Sequence, residues 1–144
     1  MFVWNTAMLY SSLKIVISLI AGGVLGFERE KWGKPAGLKT HALVCVGATI
    51  IMIIGIQSAT DLSGDPMRLP AQVVSGIGIL CAGTILVRGD DKIKGLTTAA
   101  SLWYTSCVGL LIGSPYTILV IPALIAYFVI IWLYQKIEVR IGKD

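Results

Sequence analysis

The fold of this chain is decided by two related stretches, Gly37-Leu38-Lys39-Thr40-His41-Ala42 and Gly95-Leu96-Thr97-Thr98-Ala99-Ala100. Each stretch follows a charged loop and opens a long apolar segment. Aligning residues 36–55 with residues 94–113 gives six identities in twenty positions without a gap. The repeat therefore predicts a duplicated pair of helices.

The apolar segments have the length and composition of membrane spans. The chain has 144 residues, of which 56% are hydrophobic and only 14% charged, unlike an ordinary soluble domain. Its uncharged runs are Ile15–Phe27, Thr40–Thr60, Leu69–Val87 and Gly95–Gln135. A helix needs about 20 apolar residues to cross a hydrocarbon core of about 30 Å. Most of these runs are long enough.

Two of the runs need interpretation. The run from Gly95 to Gln135 is 41 residues long and holds two spans, because Gly113-Ser114-Pro115 near its middle favours a turn. The first run becomes long enough if it begins at Leu9 and Lys14 extends its ammonium group to the interface. We therefore expect one membrane domain over residues 1–144, with spans at residues 9–27, 42–59, 69–87, 96–113 and 116–134.

The spans are predicted to be helices and the fold an all-α polytopic transmembrane bundle. Backbone amides must be paired inside lipid, which leaves helices or closed barrels. The runs lack the period-two alternation of barrel strands. The first and second helical hairpins share one orientation, so the repeat is parallel and predicts a pseudo-two-fold axis along the membrane normal.

Basic residues predict the orientation of the bundle. Ten lysines and arginines fall on the side of the C-terminus, in Glu28–Lys39, Arg88–Lys94 and the tail, which includes Lys143. Only Lys14 and Arg68 fall on the other side. By the positive-inside rule, we expect an external N-terminus and a cytoplasmic C-terminus. This topology and anionic lipid also account for the net charge of +4, so nucleic acid is not a predicted partner.

Few residues offer catalytic or metal-binding chemistry. The chain has one histidine, His41, and no HExxH motif, no serine elbow and no paired carboxylates in a plausible cleft. Cys45, Cys81 and Cys107 lie inside spans without CxxC spacing and are interpreted as packing residues. The sequence thus predicts no enzyme, no cofactor and no metal site.

Small residues mark the expected helix contacts. Lipid chains are as apolar as leucine side chains, so helices in a bilayer associate through close backbone packing at glycines. Gly22/Gly26 and Gly109/Gly113 form GxxxG pairs, and three glycines crowd the third span. The predicted packing residues are Gly22, Gly26, Gly76, Gly78, Gly83, Gly109 and Gly113.

A band of polar residues near the span ends is the candidate functional surface. An ordinary solvated loop is the alternative interpretation of its inner part, and His41 is either a packing residue or a pH sensor. We expect Asp65 to cap the third helix, Arg68 and Gln72 to face the bundle interior, and Trp103 to pack against a neighbouring helix. The band comprises Glu28, Arg29, Lys39, Thr40, His41, Asp65, Arg68, Gln72, Thr97, Thr98 and Trp103.

Several blocks in order resemble the MgtC/SapB family of bacterial inner-membrane proteins. They are Glu28-Arg29-Glu30, residues 36–41, Leu43–Gly47, Asp65-Pro66 with Arg68, Ala71–Gly78 and Gly95–Trp103. The chain departs from the family at Lys39, where arginine is usual, and at Cys81, where a small glycine is usual. Larger members carry a soluble domain after the membrane part. Because this chain ends about ten residues after the fifth span, we expect the short form without it.

The resemblance implies a role in stress or magnesium-related homeostasis. We expect a non-enzymatic protein of the lipid bilayer that binds other membrane proteins, or itself, through its small-residue faces. The alternative is a small ion or solute transporter or channel with a path between the two hairpins. The absence of Asp or Glu within the spans argues against that alternative.

Overall fold

Five α-helices and one short β-hairpin make up the chain in a computed structural model that describes residues 2–88 and 92–141. The elements are α1 (Phe2–Lys31), α2 (Leu38–Leu62), α3 (Arg68–Ala82), β1 (Leu86–Arg88), β2 (Lys92–Lys94), α4 (Leu96–Gly113), a 3-10 turn (Thr117–Leu119) and α5 (Val120–Ile141). The predicted all-α bundle is thereby confirmed. Lys143 of the basic tail lies outside the described residues.

Among the described residues, three helices are long and apolar enough to cross a membrane. They are α1 over Thr6–Lys31, α2 over Leu38–Leu62 and α4 over Leu96–Gly113. The helix α3 has 15 residues, and the described apolar part of the last helical segment, Thr117–Leu133, is also shorter. At 1.5 Å per residue α3 is about 22 Å long, less than the hydrocarbon core.

The third predicted span, residues 69–87, is wrong as a continuous helix. The helix ends at Ala82, and residues 86–88 pair with residues 92–94 as antiparallel strands, with Leu86 opposite Lys94. Hydropathy could not show this boundary, because Thr84–Val87 is as uncharged as the helix before it. The β-branched residues Ile85 and Val87 and the alternation Lys92-Ile93-Lys94 were the available strand signals.

A glycine fixes the entry into α4. Gly95 has φ of +97°, a conformation that side chains rarely adopt. A Cβ at this position would also collide with the backbone of Thr84 just after α3. The hairpin therefore returns to the end of α3, and α4 begins beside it. A residue other than glycine at position 95 would prevent this close approach.

The helix α2 lies at the centre of the bundle. It contacts α1, α3 and α4, while α1 also contacts α4. The α1–α4 and α3–α2 contacts would correspond if the two hairpins were exchanged. The pseudo-two-fold axis stays a prediction. The helix α5 packs on α4, where the Tyr104 hydroxyl donates to the Ala123 carbonyl oxygen at 2.8 Å.

The bundle is apolar outside as well as inside. Side chains such as Leu43, Ile79 and Ile118 are at least 74% exposed. Inside, Leu25, Cys45 and Ile112 are fully buried at the junction of α1, α2 and α4. A helical bundle that is hydrophobic on all sides suits a lipid environment.

Candidate functional site

The GxxxG pair of α1 lies directly against α2. A Cβ on Gly22 would stand 2.7 Å from both the Cys45 Cβ and the His41 carbonyl oxygen. A Cβ on Gly26 would stand 2.6 Å from the Leu38 Cα. Only glycine permits this approach of two backbones, so any side chain there would force α1 away from α2.

The GxxxG pair of α4 lies against the opposite side of α2. A Cβ on Gly109 would collide with the Cys45 carbonyl oxygen, and one on Gly113 would stand 2.6 Å from the Met52 Cβ. The Thr49 hydroxyl reinforces this contact, at 2.7 Å from the Gly109 carbonyl oxygen. Thr49 was not among the predicted residues. A threonine within a predicted span was the available signal, because such hydroxyls often bond across helices.

The glycines of α3 are placed differently. A Cβ at Gly76 or Gly78 would meet nothing within 4 Å among the described residues. At Gly83 it would meet only the Leu80 carbonyl oxygen of its own helix, at 3.3 Å. In the part of the chain that the structure describes, none of these three glycines packs against another helix, and their role in helix contacts stays a prediction.

Buried polar side chains link α2 to α4 at the end of the bundle that carries the two basic loops, hereafter the basic end. His41 is fully buried, with Nδ1 at 2.9 Å from the Gly37 carbonyl oxygen and Nε2 at 3.2 Å from the Ser101 hydroxyl. A carbonyl only accepts hydrogen bonds, so Nδ1 carries the hydrogen. The Ser101 hydroxyl in turn donates to the Thr98 carbonyl oxygen at 2.8 Å. His41 therefore acts as a bridge between two helices.

Next to this bridge, α1 contributes an incompletely paired ion pair. Arg29 is 3% exposed, and its Nη1 lies 3.7 Å from the Glu28 carboxylate. The Arg29 Nε and Nη2, both Glu28 oxygens and the Tyr127 hydroxyl are buried without a hydrogen-bond partner among the described residues. Buried polar atoms are normally satisfied, so this cluster is unusual. Tyr127 was not predicted, and its place in an apolar run offered no signal.

The remaining residues of the polar band do not form one cluster, because some lie at the basic end of the bundle and others at the opposite end. Lys39 and Thr97 are exposed and Thr40 is half-buried, whereas Thr98 is buried at the start of α4. The N-cap residues of α2 and α4 are Gly37 and Gly95, so neither threonine occupies the N-cap position.

The band residues of the opposite end do not enter the bundle. Arg68 and Gln72 are exposed, so the interpretation that they face the interior is wrong. The Asp65 carboxylate accepts from the Met67 N–H at 2.8 Å, next to the start of α3. Trp103 remains 46% exposed on α4, so the expected burial against a neighbouring helix is incomplete. A functional role for the band as a set stays a prediction.

Two further side chains have structural partners that the sequence did not indicate. The Lys14 ammonium donates to the carbonyl oxygens of Gly113 and Ser114 at 3.0 and 2.8 Å, at the C-terminal end of α4. Cations stabilise helix C-termini, so Lys14 joins α1 to α4. The Cys81 thiol lies 3.2 Å from the Ala99 carbonyl oxygen and is buried between α3 and α4.

An apolar exterior, glycine-packed helices and long apolar spans define a multi-pass integral membrane protein. The comparison with known families gives the particular group. The model of the MgtC family matches residues 15–140, and the chain belongs to this family.

Its relatives are bacterial proteins. An uncharacterized protein of Haemophilus influenzae is 37% identical over 145 residues, covering 90% of this chain and 61% of the relative. The "Putative magnesium transporter YhiD" of Escherichia coli is 43% identical over 108 residues, covering 71% and 50%. "Protein SapB" of Bacillus subtilis is 35% identical over 138 residues, covering 92% and 60%. The chain thus spans less than two thirds of the length of these relatives, and no solved structure matches it.

Proposed function

We propose that this chain acts in magnesium-related ion homeostasis or stress physiology of a bacterial plasma membrane by binding another membrane protein, without enzymatic activity. The observation that carries the proposal is the exposed small-residue face of α3. The link to magnesium rests on the relatives, one of which has a name that mentions magnesium transport.

The face of α3 consists of Ala71, Ser75, Gly78 and Ala82, all exposed. Their spacing of four, three and four residues puts them on one side of a helix. The buried residues Pro70, Ile77 and Cys81 form a separate stripe, about a third of a turn around the helix. In lipid such a face gains nothing from solvent exclusion, but it allows a second helix to approach closely.

No unpaired polar group disturbs this face. The Ser75 hydroxyl donates to the Ala71 carbonyl oxygen at 3.2 Å. The GxxxG glycines of α1 and α4 contact α2, whereas a Cβ at Gly78 would meet nothing within 4 Å among the described residues. A transmembrane helix of a partner protein is the occupant that fits this chemistry.

Site-specific photo-crosslinking in native membranes tests the proposal. A photoreactive residue at Ser75 should give an adduct with a membrane protein, while one at the exposed Leu43 of α2 should give lipid adducts only. Gly78→Leu should abolish the adduct from Ser75, with unchanged membrane abundance. If deletion of the gene impairs growth at low magnesium, Gly78→Leu should impair it equally. Identical adduct patterns at Ser75 and Leu43 would contradict the proposal.

Transport remains the rival function, because a relative's name and the repeat favour it. Against it, the described residues hold no group of three or more His, Cys, Asp or Glu side chains placed to hold a metal ion. Proteoliposomes that contain only this chain should show magnesium flux no greater than protein-free liposomes. Saturable flux that disappears in a folded variant of the basic end would favour transport instead.

The proposal includes the orientation expected from the basic residues. A reporter fused after Asp144 should be active only in the cytoplasm, and one fused before Met1 only outside. If both reporters lie on the same side of the membrane, the chain crosses it an even number of times and the predicted five spans are wrong.

A further inference from the structure

A cavity of about 390 Å³, lined by both polar and apolar surface, opens at the basic end between the loop after α1 and the start of α4. Its polar lining consists of Arg29, Lys34, Thr84, Lys94, Thr97 and Thr98. Three of these side chains are cationic, and no acidic side chain is among the described residues that line it. Its volume exceeds that of several water molecules, so a polyatomic ligand has room.

Arg29 supplies the strongest indication of a ligand. It is 97% buried, yet its Nε and Nη2 have no hydrogen-bond partner among the described residues. Its contact with Glu28, at 3.7 Å, is longer than a charge-assisted hydrogen bond. Guanidinium donors are planar and match the oxygens of carboxylates and phosphates. A buried guanidinium with free donors is costly unless an anion accepts from it.

The backbone N–H groups at the start of α4 are further donors for a ligand. At the start of α2, the equivalent helix of the first repeat, such a group is already paired. At the start of α2, the Leu38 N–H donates to the Glu30 carboxylate at 2.9 Å. At the start of α4, the N-cap residue Gly95 offers no side-chain hydrogen bond. The first N–H groups of a helix lack intrahelical partners and attract anions. In the first repeat an internal carboxylate meets this need.

We propose that the cavity binds a phosphate group, held by Arg29, Lys34, Lys94 and the N-terminus of α4. The ligand is either the phosphate of an anionic lipid headgroup or a soluble phosphate. Three cations together favour phosphate over a carboxylate, because phosphate carries more charge and more acceptor oxygens. This inference concerns the basic end and does not depend on partner binding at α3.

Calorimetric titration of the purified full chain in an uncharged detergent tests the site. The soluble probe is inorganic phosphate, with chloride at matched ionic strength as its reference. The lipid probe is dioctanoyl phosphatidylglycerol, with dioctanoylglycerol as its phosphate-free reference. Binding of inorganic phosphate assigns a soluble ligand, and binding of the lipid alone assigns a headgroup; either result supports the phosphate site.

Charge-matched variants separate a site from general attraction. Lys34→Gln with Lys94→Gln should weaken binding at least about tenfold, because both side chains line the cavity. Lys31→Gln with Lys39→Gln removes the same charge from exposed positions outside it and should keep the affinity within about twofold.

Arg29→Gln should also abolish binding, and its elution as a folded species in size-exclusion chromatography checks the variant. If Arg29→Gln fails to fold, the lysine pairs still decide. The proposal is overturned if neither phosphate probe binds the parent chain more tightly than its reference. It is equally overturned if the two lysine pairs lose affinity to the same extent.

Discussion

Glycine is closely packed where α1 and α4 contact α2, but on α3 it has open space beside it. At Gly22 and Gly109, glycine lets two backbones approach until no Cβ could fit. At Gly76 and Gly78, a Cβ would meet nothing within 4 Å in the described part of the chain. Small residues in a span therefore indicate capacity for close contact, and only the three-dimensional arrangement tells whether the chain itself uses that capacity.

This difference in packing distinguishes glycines that stabilise the bundle from glycines that are available to bind a partner. Glycines that contact α2 hold the bundle together, so changing them should unfold it. Glycines on α3 lower the helix propensity of α3, which makes few contacts with the rest of the chain. Replacing them should therefore not reduce the unfolding free energy of the isolated chain. The following predictions test this division, from the largest effect to the smallest.

Gly109→Ala should give the largest loss. The new Cβ would collide with the Cys45 carbonyl oxygen and stand 2.8 Å from the Ala48 Cβ, and neither backbone can yield alone. We expect a loss of about 3 kcal/mol or more in unfolding free energy, or failure to accumulate. Thermal denaturation of the detergent-purified chain measures the effect. Denaturation at the temperature of the parent would show that α4 does not pack on α2 here.

The sequence predicted much of this architecture but less of the site. Five helices, the repeat and the GxxxG pairs follow from apolar runs and spacing, which depend only on local composition. The end of α3 at Ala82 did not follow, because the stretch Thr84–Val87 after it is equally uncharged. Arg29 and His41 were selected from polarity near the membrane, but their burial and the pairing with Ser101 arise from contacts between distant segments.

Lys14→Met should give the next largest loss. The substitution keeps most of the apolar stem but removes the donor to the Gly113 and Ser114 carbonyl oxygens. Hydrogen bonds from charged groups contribute more than neutral ones, so we expect about 2 kcal/mol. Denaturant-induced unfolding measures it, with exposed Lys31→Met as the control. Equal stability of the two variants would mean that Lys14 extends to the interface instead.

Thr49→Val should have a smaller effect on the same interface. Valine preserves the shape but removes the hydroxyl that lies 2.7 Å from the Gly109 carbonyl oxygen. Hydrogen bonds between membrane helices contribute about 0.5–1.5 kcal/mol, and we expect a loss in that range. Thr60→Val on the same helix is the matched control, because the Thr60 hydroxyl donates only to the Ile56 carbonyl oxygen of its own turn. A loss as large in the control would assign the effect to the helix and not to its contact with α4.

Gly78→Ala should slightly stabilise the purified chain, and this sign distinguishes α3 from the α2 interfaces. Alanine has the higher helix propensity, and the added methyl group meets nothing within 4 Å among the described residues. We expect a gain of about 0.5–1 kcal/mol in unfolding free energy, measured beside Gly76→Ala, which has the same surroundings. A loss of stability at Gly78 in the detergent-purified chain would mean that this face is already packed, as in a homo-oligomer. In that case the partner at α3 would be a second copy of this chain, and the oligomer should dissociate in Gly78→Leu.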